Sequence, residues 1–250
     1  MARTNFKELL EAGVHFGHLK KKYNPAMAPY IFMERNGLHI IDLNKTVAMI
    51  EDAASAMKQI AKSGKKILFV ATKKQAKDVI AQTAEALNMP YITERWPGGL
   101  LTNFATIRKS IKKMQTIDKM KEDGTFDSLS KRERLQIDRQ RAKLELNLGS
   151  IVKMTRMPEA IFVIDTNKES IAIAEANQLG IRTFAMTDTN TNPRVIDFPI
   201  PANDDASKSI ECIVAIVKKA IAEGLEERGA EQEVKDEEKK EKAKQISEEK

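Results

Sequence analysis

One cysteine, three histidines and one tryptophan stand in 250 residues, and each shortage closes off a class of chemistry. A lone Cys212 excludes a disulfide framework and a thiolate metal cluster. It lies in the apolar run 210–217, where a buried, inert thiol is expected. No stretch approaches the roughly 18 apolar residues of a membrane span. The first seven residues, Met1 to Lys7, lack the apolar centre of a secretion signal, so a cytoplasmic protein without membrane partners is expected. Neither Gly-x-Gly-x-x-Gly nor Gly-x4-Gly-Lys-[Ser/Thr] occurs, and no serine stands in a nucleophile elbow. The expectation is therefore no nucleotide cofactor, no small-molecule substrate, no catalytic residue and no enzymatic activity.

Charge is plentiful. Lys and Arg number 42 against 36 Asp and Glu, a formal +6. Residues 226–250 hold ten acidic and seven basic side chains, net −3, which leaves +9 on the other 225. A body this basic points to a polyanion, although the same numbers fit ordinary solubility charge.

The chain can be arranged around Ile67 to Ala71, an apolar run without polar alternation, as in a strand covered on both faces. Thr72, three residues before Gln75, has the spacing of a capping box and predicts a helix over 73–88. Strand, tight turn and helix open a parallel βαβ unit. Further strands are predicted at 89–93, 160–165, 181–186 and 199–201. Asn36-Gly37 between two apolar runs predicts a hairpin with Glu34 opposite His39. Asn44 is expected to cap the next helix, and Gly64 to end it.

From Asn103 the pattern changes. Phe104, Ile107, Ile111, Met114, Ile117 and Met120 recur at three and four residues, and a capping box at Ser130 and Glu133 opens a second helix. Together they predict an antiparallel helical hairpin carrying twelve basic and seven acidic residues over 104–150. The last helix should run over 205–223, with a disordered charged tail beyond Gly224. The expected fold is α/β: a parallel five-stranded sheet flanked by helices, an N-terminal β-hairpin extension and an inserted coiled-coil hairpin. The domain map is 1–43 for the basic arm and β-hairpin, 44–103 with 150–224 for the α/β domain, 104–149 for the helical hairpin and 225–250 for the tail.

Four places could meet RNA. His15, His18, Lys20, Lys21, Lys22, Tyr23 and Asn24 lie in a segment too rich in Gly, Pro and Lys for regular structure, where cations suit phosphates and rings suit bases; the alternative is a surface arm packed by Phe16 and Tyr23. His15 and His18 invite zinc, but with no thiolate and only His39 besides, the usual ligand sets are not met. Arg95 and Trp96, beside two glycines, could grip a phosphate or a base, or plug a turn. Lys73 and Lys74 crowd the turn where a nucleotide enzyme has glycine. On the hairpin, Asn103, Arg108, Lys109 and Lys112 face outward. Asp165, Asp188, Asp204 and Asp205 follow strands and form a candidate Mg²⁺ site. The competing reading, adopted here, makes them caps and turn residues, so no metal is expected. Two further functions compete: a nucleotide-binding α/β enzyme using the sheet edge, and a protein scaffold using the hairpin.

Several motifs occur in one order: Glu11-Ala12-Gly13-Val14-His15-Phe16-Gly17-His18, Asn24-Pro25, Tyr30-Ile31-Phe32, the stretch from Glu34 to Asp42, Ala71-Thr72-Lys73-Lys74-Gln75, Arg95-Trp96, Leu101-Thr102-Asn103-Phe104 and Asn203-Asp204-Asp205. With these the chain closely resembles the bacterial small-subunit ribosomal protein family S2, over about residues 5–225. The resemblance implies a parallel α/β domain with a protruding coiled-coil hairpin, and a place on the solvent side between head and body of the small subunit. It also implies contact with small-subunit ribosomal RNA, and with neighbouring ribosomal proteins including the large mRNA-binding one that joins late.

Overall fold

The computed structural model describes residues 3–248. Apolar runs without alternation give strands buried on both sides: β4 (Ile67–Val70) and β6 (Ala160–Ile164) are buried at every position. With β5 (Tyr91–Ile92), β7 (Arg182–Thr187) and β8 (Phe198–Pro201) they form one parallel sheet in the order β5-β4-β6-β7-β8. Alternate side chains serve two cores. Ile67, Phe69, Phe162 and Phe184 meet the helices α2 (Leu43–Lys62), α3 (Lys74–Ala86) and α7 (Ser207–Glu248). Leu68, Val70, Ile161 and Val163 meet α6 (Ser170–Gln178) and the segment from Trp96 to Leu101. Each fully buried Phe or Leu contributes roughly 1.5–3 kcal/mol, so the two cores outweigh any local preference of the strands.

Ahead of the sheet, α1 (Phe6–Glu11) is capped by Asn5, whose Oδ1 accepts from the Glu8 N–H at 2.9 Å. Next come β1 (Phe16–Leu19), β2 (Ile31–Arg35) and β3 (Leu38–Ile41), an antiparallel sheet in the order β1-β3-β2. The Asn36-Gly37 turn has positive φ at both residues (52° and 75°), and Glu34 faces His39 in register as expected. The basic arm is more regular than its composition predicts. Phe16 pairs with Ile40 and Leu19 with Leu38, which makes β1 a strand. Gly17 lets β1 press on the loop after β7, since a Cβ there would fall 2.5 Å from Thr189 Cγ2.

The helical hairpin is α4 (Phe104–Glu122) and α5 (Lys131–Leu148), held in register by Arg141–Asp118 at 2.8 Å and Lys121–Asp138 at 2.6 Å. Ser130 and Glu133 form the predicted capping box.

Four local expectations fail, two of them for long-range reasons. Thr72 does not cap α3: its N–H and hydroxyl both donate to Glu169 Oε1, and the helix starts at Lys74. Asp42, not Asn44, caps α2, accepting from the Asn44 N–H at 3.0 Å. Asn203 accepts from the Asp205 and Ala206 N–H groups ahead of α7, leaving Asp204 and Asp205 free for other partners. The last helix does not stop at Glu223, and helix replaces the expected disorder of residues 225–248. Gly224 is there for close packing, because a Cβ on it would lie 2.4 Å from the Lys58 carbonyl oxygen of α2. Beyond it, Lys58 and Lys62 pair with Glu227 at 2.7 and 3.3 Å, and Lys62 with Glu231 at 2.8 Å.

Candidate functional site

The strand order turns back at β4, which puts a crevice at the carboxyl ends of β4 and β6, where α/β folds bind ligands. Here that crevice is filled by the chain's own charges. Lys73 sends its Nζ to Asp205 Oδ1 at 2.6 Å, Asp204 Oδ1 at 2.8 Å and Asp165 Oδ2 at 3.4 Å. Burial alone would lower the Lys73 pKa, but these carboxylates more than offset it and raise it. Burial first, then the neighbouring Asp188 charge, pushes Asp204 up to about 7 against the pull of Lys73. Asp165 adopts positive φ (69°), tolerable for aspartate because its Oδ1 accepts from the Lys168 N–H.

His18 reaches the same place from β1. Its Nδ1 lies 2.9 Å from Asp188 Oδ2 and its Nε2 3.3 Å from Asp205 Oδ2. The Asp188 contact raises the His18 pKa against its burial, with Asp204 and Asp205 adding to the rise. Asp188 also holds its own turn, as expected, accepting at Oδ1 from the Thr189 N–H and hydroxyl. A phosphate brought here would meet four carboxylates and a lysine already engaged by three of them. The geometry opposes a nucleotide site.

The other sequence-predicted residues fall into separate places. Lys20, Lys21 and Lys22 are exposed on a short turn, with Lys20 paired to Glu34 at 2.8 Å. Tyr23 is half-buried with its ring 4.9 Å from His39, and Asn24 caps the next turn through Ala26. His15 is half-buried against Phe16, and burial lowers its pKa. Lys74 is exposed at the start of α3.

Trp96 is buried beneath its turn, its indole N–H donating to Glu175 at 3.0 Å, so the plug reading describes it. Arg95 stays exposed and lines a cleft of about 420 Å³ with Gln140, Lys143 and Asn147 of α5. Asn103 is exposed and gives α4 no side-chain cap. Arg108 turns inward, donating to the Val152 and Met154 carbonyls at 3.3 and 3.2 Å. Lys109 and Lys112 remain exposed on α4. Lys143 was missed because its cleft mate Arg95 stands 48 residues away.

Also missed was an apolar groove of about 580 Å³ lined by Phe6, Leu10, Phe16, Phe32 and Met33. Phe32 is 70% exposed there. The signal available was a strand whose outward positions carry Phe and Met in place of polar residues.

Fold and site together define a doubly wound α/β body with a closed ligand edge and a long basic helical arm, an architecture for binding and not for turnover. The family described as Ribosomal protein S2 matches residues 9–224, and the chain belongs to that family. A protein of Phocaeicola vulgatus, "Small ribosomal subunit protein uS2", is 69% identical over 231 residues, covering 92% of this chain and 83% of that one. Relatives with the same description in Parabacteroides distasonis and Flavobacterium johnsoniae are 68% and 66% identical, covering 92% and 93% of this chain and 83% and 91% of their own. The family is structural and non-enzymatic, and its role is in the ribosome.

Proposed function

We propose that the chain is a structural constituent of the small ribosomal subunit in the bacterial cytoplasm. It binds small-subunit ribosomal RNA between head and body and helps to hold the large mRNA-binding protein. One observation carries the RNA reading: among the described residues, Lys109, Lys112 and Lys113 stand exposed and in no ion pair on α4, on an arm of net charge +5. Lys20, Lys21, Lys22 and Arg95 add exposed cations at two other places. The buried Trp96 and the inward Arg108 act in this reading as supports for the turn and the arm. Replacing Lys109, Lys112 and Lys113 by Ala should reduce the salt dependence of binding to small-subunit RNA by a slope of about 2–3, close to one unit per lost phosphate contact. An unchanged slope would remove the arm from the RNA interface.

The neighbour-protein reading rests on a different observation. The groove around Phe16 and Phe32 offers apolar rings and few cations, which suits a protein surface better than a phosphate backbone.

A further inference from the structure

We propose that Lys66, Lys153 and Arg228 form a further site for the phosphate backbone of RNA, at the amino edge of the parallel sheet. It lies at the opposite ends of the strands from the closed crevice, and it rests on the RNA reading given above. Three elements bring the cations together. Lys66 stands immediately before β4, and its Nζ donates to the Asn88 carbonyl at 2.7 Å. Lys153 follows α5 and lines a cleft of about 640 Å³ with Asn88 and Met89. Arg228 comes from the part of α7 beyond Gly224, and its guanidinium lies over Gly64. A Cβ on Gly64 would fall 2.7 Å from both terminal nitrogens of Arg228. Gly64 therefore does more than end α2: its missing side chain leaves the room that Arg228 occupies.

Among the described residues these three cations have no counter-ion. The acids around them are engaged elsewhere. Glu159 pairs with Lys65 at 2.8 Å, Glu94 with Lys77 at 2.9 Å and Glu145 with Arg141 at 3.0 Å. Glu85 accepts from the Tyr91 hydroxyl, and Glu227 of α7 turns to Lys58 and Lys62. Burial, then the charges of Arg228 and Lys153, lowers the Lys66 pKa. Like charges gathered in this way repel one another, and an anion brought among them relieves the repulsion. An acidic protein segment is the competing occupant. Protein interfaces are held by a buried apolar centre, whereas these cations stand against main chain, at Gly64 and the Asn88 carbonyl. A phosphate backbone needs only the charges.

The test measures binding of the full chain to transcribed small-subunit ribosomal RNA across a salt series. The triple variant Lys66→Gln, Lys153→Gln, Arg228→Gln should lower the slope of log affinity against log salt by about 2–3. Its Tm should stay level or rise, because like charges no longer face one another. A matched control, Lys208→Gln, Lys218→Gln, Lys219→Gln, removes three exposed lysines of α7 and the same charge, and should leave the slope unchanged. An unchanged slope in the edge variant, or an equal fall in the control, overturns the proposal. An edge variant that keeps its RNA slope but loses affinity for polyglutamate assigns the edge to an acidic protein segment instead. The RNA reading itself fails by a different result: no salt-dependent binding by the unsubstituted chain, which overturns this site with it.

Discussion

Glu175 on α6 is buried, and its two oxygens accept five hydrogen bonds from four residues of the Trp96 turn. They come from the Trp96 indole, the Gly99, Leu101 and Thr102 N–H groups and the Thr102 hydroxyl, at 2.7–3.1 Å. Burial raises its pKa, but the Trp96 and backbone donors outweigh burial and the net shift is downward. A carboxylate with a depressed folded pKa contributes stability that is complete above its unfolded value near 4.3 and fades as pH falls through the folded value. Glu175→Gln should therefore cost about 2–4 kcal/mol at pH 7, since charge-assisted bonds are weakened and one donor group meets another. In urea melts, the gap between the two proteins should narrow as pH falls from the unfolded value and close once pH is below the depressed folded value. A gap that persists there would mean that packing, not the charge, holds the turn. Nothing near Trp96 in the sequence names Glu175, which lies 79 residues on. The turn was legible and its anchor was not. Thr72 fails in the same way: the capping spacing is real, but a carboxylate 97 residues distant takes both donors.

At the scale of elements, two local signals held with both partners local, while the cap of α2 lies two residues before the expected one, at Asp42. The Asn36-Gly37 turn and the Ser130–Glu133 capping box each lie within a few residues and fold as read. Gly224 resembled a helix stop because its real partner, the Lys58 carbonyl, belongs to another helix. Two glycines of α7 make this testable. Gly224→Ala would push a Cβ to 2.4 Å from that backbone oxygen, so α7 must move off α2, and a loss of about 1–3 kcal/mol is expected. Gly229→Ala meets nothing within 4 Å and removes a helix-weakening residue, so a gain of up to about 1 kcal/mol is expected. Chemical denaturation of both variants reads the signs directly. Equal effects at the two positions would mean that α7 does not pack tightly where Gly224 crosses α2.

Over the whole molecule, the parallel sheet was legible because its central strands β4 and β6 are uniformly apolar. The crevice chemistry was only half legible: four aspartates were visible, but not that Lys73 and His18 would close around them. The closed edge predicts that calorimetry with ATP, GTP or NAD at millimolar concentration gives no saturable heat. Micromolar binding of any of them would contradict the charge argument, since each brings phosphates toward carboxylates.

The arm sets the second prediction at this scale. Its two helices bury against each other, and its root also enters a sheet core. Ile111 and Leu148 are buried among Leu68, Val70 and Trp96, with Phe104, Ile107 and Leu144 packed alongside. The separable part of the hairpin therefore begins further out than residue 104. The ion pairs of residues 118 with 141 and 121 with 138 place Gln115 beside Leu144. Deleting 116–143 and joining those two residues by a short Gly/Ser loop needs to span only about 8–10 Å, the distance between packed helices. Closing a shorter loop changes the chain entropy little, because the cost grows with the logarithm of length. The shortened chain should keep one cooperative thermal transition and compete weakly with the full chain for small subunits. Deleting 106–148 instead removes Ile111 and Leu148 from the core, at roughly 2–5 kcal/mol for each large side chain lost. That variant should lose cooperative unfolding. If both deletions melt alike, the root contributes nothing to the core and the arm is independent from residue 104 onward.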